Sequence, residues 1–305
     1  MRFAVVNSIY EAALKNKDIV FLTGDLNHVH EKEFRKNIPD QYINVGIAEQ
    51  NMIGIAAGLA LSGKKVFVYS ITPFVTMRCF EQVKSDVCYQ NLDVNLIGVG
   101  GGFAYGQYGN THCSIEDVAV MRVLPNMKIV APSNPLEAKV LTAQILNLKG
   151  PTYIRIGRGK EPMPEKKYKV HFGKGHYISR GKDVAIFSYG PILTEAEKVV
   201  DALGKKKIEA TLINMHTIKP LDEKLVLKIV KHTRTIFTIE EHSIIGGLGS
   251  AIAEIISERG HKTLIFKRFG VKDIYLKEIG IQEYLRKKHG ISATKIVSLI
   301  LTLVR

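Results

Sequence analysis

A single acidic residue, Glu49, stands in the run NVGIAEQNMIGIAAGLAL, residues 44–61. Glutamate is almost never fully buried without a partner, and an isolated buried carboxylate is costly. Glu49 could simply open a helix and cap its own backbone. It could also be a carboxyl kept in an oily interior to deliver a proton. Burial among apolar groups favours the neutral acid, whereas the positive end of a helix favours the anion. The apolar flanks predict that burial wins and that Glu49 has a proton to give. Two other stretches carry reactive types. GVGGGFAYGQYGNTHCSIED, residues 98–117, combines glycines with His112. Glycine lets backbone approach a ligand closely, and an imidazole titrates near neutrality. The glycines do not form the G-x-G-x-x-G dinucleotide fingerprint. YIRIGRG, residues 153–159, carries Arg155 and Arg158. A guanidinium grips phosphate bidentately, although a strand-end arginine is also an ordinary solvated residue.

These residues sit in a chain that alternates helix-like and strand-like segments. NSIYEAALKN, EQNMIGIAAGLALSG, FVTMRCFEQVKSDVCYQ and PLEAKVLTAQIL have helical spacing. IVFLTGDL, KVFVYSI, VNLIGVG and PTYIRIG read as strands buried on both faces. The alternation predicts an α/β fold, a parallel sheet covered by helices on both sides. From Gly157 to Lys182 the pattern lapses into Gly, Pro and Lys. VAIFSYG, IEATLINMH, TRTIFTIEEH and TLIFKRFG then supply a second set of strands among helices. The expected organisation is two doubly wound domains, residues 1–160 and 183–305, joined by a linker over 161–182. The helix after Glu49 is apolar all round and is predicted to be buried on every side. Its Gly54 and Gly58 leave one stripe without side chains, at roughly 1 kcal/mol each. A close-packed neighbour would explain that cost, either at a subunit or domain interface or in a tight core.

The 305 residues are 46% hydrophobic and 24% charged, enough chain for two sizeable cores. The N-terminus has no apolar signal core, and KIVSLILTLV near the C-terminus is too short to span a bilayer. A soluble, cytoplasmic protein is expected. Cys79, Cys88 and Cys113 form no C-x-x-C pair, which argues against a disulfide framework or a zinc site. His28, His30, His216 and His242 lack metal-ligand spacing and are read as structural. The net charge of +14 is scattered in short clusters without interleaved aromatic residues. That disfavours a nucleic-acid binder and suits an anionic substrate or an acidic partner chain.

INVGIAEQNMIGIAAGLALSGKKVFVYSI resembles the pyrimidine-binding domain of the transketolase family of thiamine-diphosphate enzymes. GNTHCSIEDVAVMRVLPNMKIVAPSNPLEA is similar to that family's loop, helix and strand. INMHTIKPLD and FTIEEHSIIGGLGSAIAE resemble its C-terminal domain, so the likeness runs from about Asp18 to Glu254. The resemblance implies that Glu49 hydrogen-bonds N1′ of the cofactor's aminopyrimidine. That bond favours the 4′-imino form, which removes the proton from the thiazolium carbon. Phe74, with Ile71 beside it, is the implied apolar slot for the pyrimidine; core packing remains open for Phe74. The second aromatic that the family often has near the Ile71 position is missing. Asp25 in TGDLN matches an acidic residue near the cofactor, and a turn role remains open for it. His112 corresponds to the histidine near the reacting oxygens of the substrate. Arg158 corresponds to a phosphate-binding arginine, with Arg155 as a helper. Tyr108 stands four positions before His112, where the family usually has an acidic residue. An upstream histidine also lacks a counterpart in GVGGGF. Both departures point away from the usual pentose phosphates and towards a modified donor or acceptor.

Family members hold the diphosphate through a divalent metal bound by a G-D-G motif and a later asparagine. The only Gly-Asp here is Gly24-Asp25, followed by Leu26. The resemblance therefore implies the C-terminal subunit of a split transketolase. An N-terminal partner would carry G-D-G…N and hold magnesium or another divalent metal, in an expected heterotetramer. The residues Glu49 and His112 would carry catalysis, transferring a two-carbon ketol unit from a ketose phosphate to an aldehyde. The alternatives are a deoxyxylulose-phosphate-synthase-like subunit, a 2-oxoacid dehydrogenase beta-type subunit, or a non-catalytic regulatory or scaffolding subunit.

Overall fold

The computed structural model describes residues 1–26, 30–159, 161–164, 168–259 and 265–304. His28 lies outside them. Among the described residues, twelve strands form two sheets. In the first half they are β1 (Ile19–Thr23), β2 (Tyr42–Asn44), β3 (Lys65–Ile71), β4 (Val94–Val99), β5 (Lys128–Val130) and β6 (Thr152–Ile156). In the second half they are β7 (His176–Ser179), β8 (Val184–Ser188), β9 (Ala210–Asn214), β10 (Thr217–Lys219), β11 (Thr235–Ser243) and β12 (Ile265–Val271). The first sheet has the order β10-β5-β6-β4-β3-β1-β2 and the second β12-β11-β8-β9-β7. Apart from β10 against β5 and β7 against β9, all neighbours are parallel. This is the doubly wound α/β architecture that the alternation predicts.

Strand β3 shows why both faces are covered. Side chains alternate across a strand. Val66 and Val68 join one core with Met52 and Ile53 of the helix Glu49–Leu61, while Phe67 and Tyr69 join another with Val5, Ile9 and Leu141. The first of these cores continues into Phe187, Ile213 and Leu248 of the second half, so the two halves share packed interior.

The fold departs from the sequence-based expectation in three places. The helix Glu49–Leu61 is not buried on every side: Gly54 and Gly58 are exposed, and a Cβ added at either would meet nothing within 4 Å. FVTMRCFEQVKSDVCYQ is not one helix. Pro73 starts a short helix, Thr72–Thr76, a turn follows at 77–79, and a π-helical stretch covers Val83–Cys88. Residues 161–182 are not all connection, because β7 falls within them and pairs with β9.

At the junction of the halves, Glu137 accepts hydrogen bonds from Ser133 N (2.7 Å), Asn214 Nδ2 (2.5 Å) and the Tyr168 hydroxyl. Burial pushes its carboxyl from 4.5 up to about 7. The folded chain thus holds a proton that the unfolded chain releases near 4.5. The stability this supplies is complete below about pH 4.5 and is lost as pH rises through about 7, on the order of 3 kcal/mol. Urea midpoints measured from about pH 5 to about pH 8 should fall in the wild type and fall less in Glu137→Gln. Equal slopes would exclude Glu137 as the source.

Candidate active site

The chain leaves β1 for β2 and then returns past β1 to β3, so the strand order reverses between β1 and β3. In open parallel sheets, ligands bind outside the carboxyl ends of the strands at such a reversal. Glu49 stands there. Its side chain is 2% exposed. Oε1 accepts from Ser70 Oγ at 2.8 Å, near the end of β3. A Cβ built on Gly24, just after β1, would lie 3.3 Å from Oε1. The carboxyl oxygens of Glu49 accept from side chains, Ser70 and Arg78, so Glu49 does not spend its carboxyl on its own backbone.

The expectation of a carboxyl among apolar groups alone does not hold. Oε2 forms a 2.7 Å ion pair with Nη1 of Arg78, a residue the sequence reading did not single out. The signal was present, since Arg78 lies four residues after Phe74 in an apolar segment. The same guanidinium lies 3.9 Å from the centroid of the Phe74 ring. From Phe74 the contacts run outward in one line. Its ring meets His112 edge-on with centroids 5.2 Å apart, and His112 meets Tyr108 at 5.3 Å. Arg158 lies over the Tyr105 and Tyr108 rings, 5.0 and 5.8 Å from their centroids. The loop reaches this position through Gly100, Gly102 and Gly109, all at positive φ, where side chains are strained. Nδ1 of His112 is 3.0 Å from Thr111 Oγ1. Glu49, Phe74, His112, Tyr108 and Arg158 are therefore neighbours although 109 positions separate the first from the last.

Ile71 ends β3 and is buried beside this run. Asp25 has φ +58° and accepts from Asn44 Nδ2 at 3.0 Å, placing it next to Gly24. Arg155 is the residue that the structure takes out of the cleft. It is 3% exposed and bonded through Nε to Asp117 at 2.7 Å and through Nη2 to the carbonyls of Ser114 and Glu241. As a helper for substrate phosphate it is corrected: it is buried, with Nε and Nη2 taken by Asp117, Ser114 and Glu241, and the Glu241 bond ties β6 to β11.

The glycines after β11 open a helix whose first free N–H groups are taken by a carboxylate of this chain. Buried Glu240 accepts from the N–H groups of Leu248 and Gly249, each at 2.9 Å, at the start of the helix Leu248–Glu258. His242 bonds the Ser243 carbonyl through Nδ1 and the Ala119 N–H through Nε2. His30 stacks on Tyr10, and burial pushes His216 down to about 4. Cys79, Cys88 and Cys113 are free and buried. Among the described residues, no group of three or more His, Cys, Asp or Glu is placed to hold a metal ion, and no helix is long and apolar enough to cross a membrane.

At the strand-order reversal of the first sheet, a buried carboxylate, Glu49, and an aromatic ring, Phe74, both engage one flat, nitrogen-bearing group, the Arg78 guanidinium. The donor set fits an aminopyrimidine, because a planar nitrogenous group, the Arg78 guanidinium, already satisfies both surfaces. The family model described as "Transketolase, pyrimidine binding domain" matches residues 1–163, and "Transketolase, C-terminal domain" matches residues 173–296. The chain belongs to the transketolase family, whose members are thiamine-diphosphate enzymes. It is 40% identical to one of the subunits of an apulose-4-phosphate transketolase from Actinobacillus succinogenes, covering 88% of this chain and 87% of that one. It is 38% identical to the 6-deoxy-6-sulfo-D-fructose transketolase subunit SqwH from a Clostridium species, covering 97% and 92%. A solved structure described as a split gene transketolase, inactive beta4 tetramer, superposes with a TM-score of 0.87 at 33% identity, covering 99% of this chain and 97% of that one.

Proposed function

We propose that this chain is the C-terminal subunit of a split transketolase and transfers a two-carbon ketol unit from a ketose phosphate to an aldehyde acceptor. The contiguous run from Glu49 through Phe74, His112 and Tyr108 to Arg158 carries this reading. Bound thiamine diphosphate would supply a nucleophilic carbon able to take up and release the two-carbon fragment. Glu49 would hold a proton at the pyrimidine N1′, and Phe74 with Ile71 would exclude water from the ring. Asp25 closes the slot from the β1 side. His112 faces the substrate oxygens and gives or takes a proton there. Arg158, pinned on two tyrosine rings at the rim, takes an anionic end of the sugar. Two relatives are named for sugars with such an end, one a phosphate and one a sulfo group. Tyr108 in place of an acidic residue fits a donor or acceptor other than the usual pentose phosphates.

No G-D-G motif occurs in the sequence. We assign magnesium and the diphosphate to an N-terminal partner subunit carrying that motif, in a heterotetramer with two copies of each chain. The relative described as an inactive beta4 tetramer supports a need for the partner. The exposed stripe of Gly54 and Gly58 offers a surface where a second backbone could pack.

The test is reconstitution. The chain is co-purified with an N-terminal transketolase subunit, thiamine diphosphate and magnesium are added, and transfer from a ketose phosphate to an aldehyde is followed by product analysis. Activity in the mixture and none in either chain alone is expected. A mixture that binds the cofactor but only releases carbon dioxide from pyruvate would replace transfer with a decarboxylating synthase reaction.

A further inference from the structure

Arg78 stands at the centre of the site. It lies in the turn 77–79 between two helical pieces, so its side chain is not tied to a helix face. Its Nη1 donates to Oε2 of Glu49 at 2.7 Å, and its guanidinium carbon lies 3.9 Å from the Phe74 ring centroid. It is thus a flat cation stacked on the aromatic wall and hydrogen-bonded to the carboxylate at the base. An aminopyrimidine needs the same two partners, the carboxyl for its ring nitrogen and the aromatic face for its plane. Two planar groups cannot occupy that space together.

The geometry points to Arg78 as a resident plug of the pyrimidine slot, which must swing out before the cofactor ring can reach Glu49. This rests on the function proposed above. The exposures indicate which partner moves. The Glu49 side chain is 2% exposed and held by Ser70, whereas that of Arg78 is 41% exposed and has open solvent to move into. An ion pair with one exposed partner and a single cation–π contact are both modest interactions. They set a barrier that a tightly held cofactor overcomes, and removing them should strengthen cofactor binding by about tenfold.

The test titrates thiamine diphosphate with magnesium into the assembled complex and reads the dissociation constant by calorimetry, without turnover. Wild type is compared with Arg78→Ala and with Arg78→Gln, which keeps bulk but not charge; thermal melts establish that each variant is folded. The expected result is a dissociation constant lowered about tenfold in Arg78→Ala and lowered in Arg78→Gln as well. On the isolated subunit, thiamine without its diphosphate should bind Arg78→Ala more tightly than wild type by ligand-observed NMR. If wild type takes up the cofactor and both variants bind it equally or more weakly, Arg78 supports the ring instead of displacing it, and the plug is overturned. If none of the three complexes takes up thiamine diphosphate, the proposed function fails along with the plug.

Discussion

Replacing Glu49 by glutamine lowers kcat of the reconstituted enzyme by about 10²–10⁴-fold, the usual worth of a positioned proton transfer. Glutamine keeps the length of the side chain and an oxygen that can accept from Ser70, so the helix Glu49–Leu61 and its packing should survive. What it loses is the ability to hold and give up a proton at the pyrimidine nitrogen. The ion pair with Arg78 is lost as well, but the Arg78 side chain is 41% exposed and can turn to solvent instead of facing the amide, so little stability goes with it. The loss is therefore expected in kcat, with a thermal midpoint close to that of the wild type. The measurement is steady-state kinetics at saturating cofactor, with the melt as control. A kcat within about threefold of wild type would remove Glu49 from catalysis.

Arg155→Met is expected to have the largest effect on stability, about 3–5 kcal/mol, because it breaks a buried pair from one side. Asp117 is fully buried and Arg155 is 3% exposed. Burial pushes the Asp117 carboxyl up, but the Arg155 guanidinium beside it prevails and holds the group below the usual carboxylate range. The same carboxylate accepts from the Tyr153 hydroxyl at 2.7 Å. Without Arg155 it is left as an uncompensated charge, and the Glu241 and Ser114 carbonyls lose a donor. The bond to the Glu241 carbonyl crosses from β6 of the first sheet to β11 of the second, so the variant should also loosen the coupling between the halves. Urea denaturation gives the loss directly. The double replacement Arg155→Met with Asp117→Leu should recover part of it, since a well-packed apolar pair removes the stranded charge. A loss under about 1 kcal/mol with a raised KM would instead return Arg155 to substrate binding.

The sequence alone determined the architecture and singled out most of the residues that the structure brings together around Glu49. Strands such as KVFVYSI and VAIFSYG and helices such as EQNMIGIAAGLAL are written in local periodicity, which survives whatever the rest of the chain does. Glu49, Phe74, His112 and Arg158 could be picked out because each combines a reactive or apolar type with a matching family segment. Tertiary structure decided what those residues touch. The partner of Glu49 is 29 positions away, and the carbonyl that fixes Arg155 is 86 positions away. Periodicity carries no information over such distances. The same holds for β10, which leaves the second half to edge the first sheet, and for β7, which forms from a segment poor in strand signal because β9 offers it an open edge. A charge near the end of a strand looks the same in sequence whether it faces solvent, as Arg158 does, or a buried carboxylate, as Arg155 does. Only the packing of the second half against β6 separates the two, by removing water from one guanidinium and leaving it around the other.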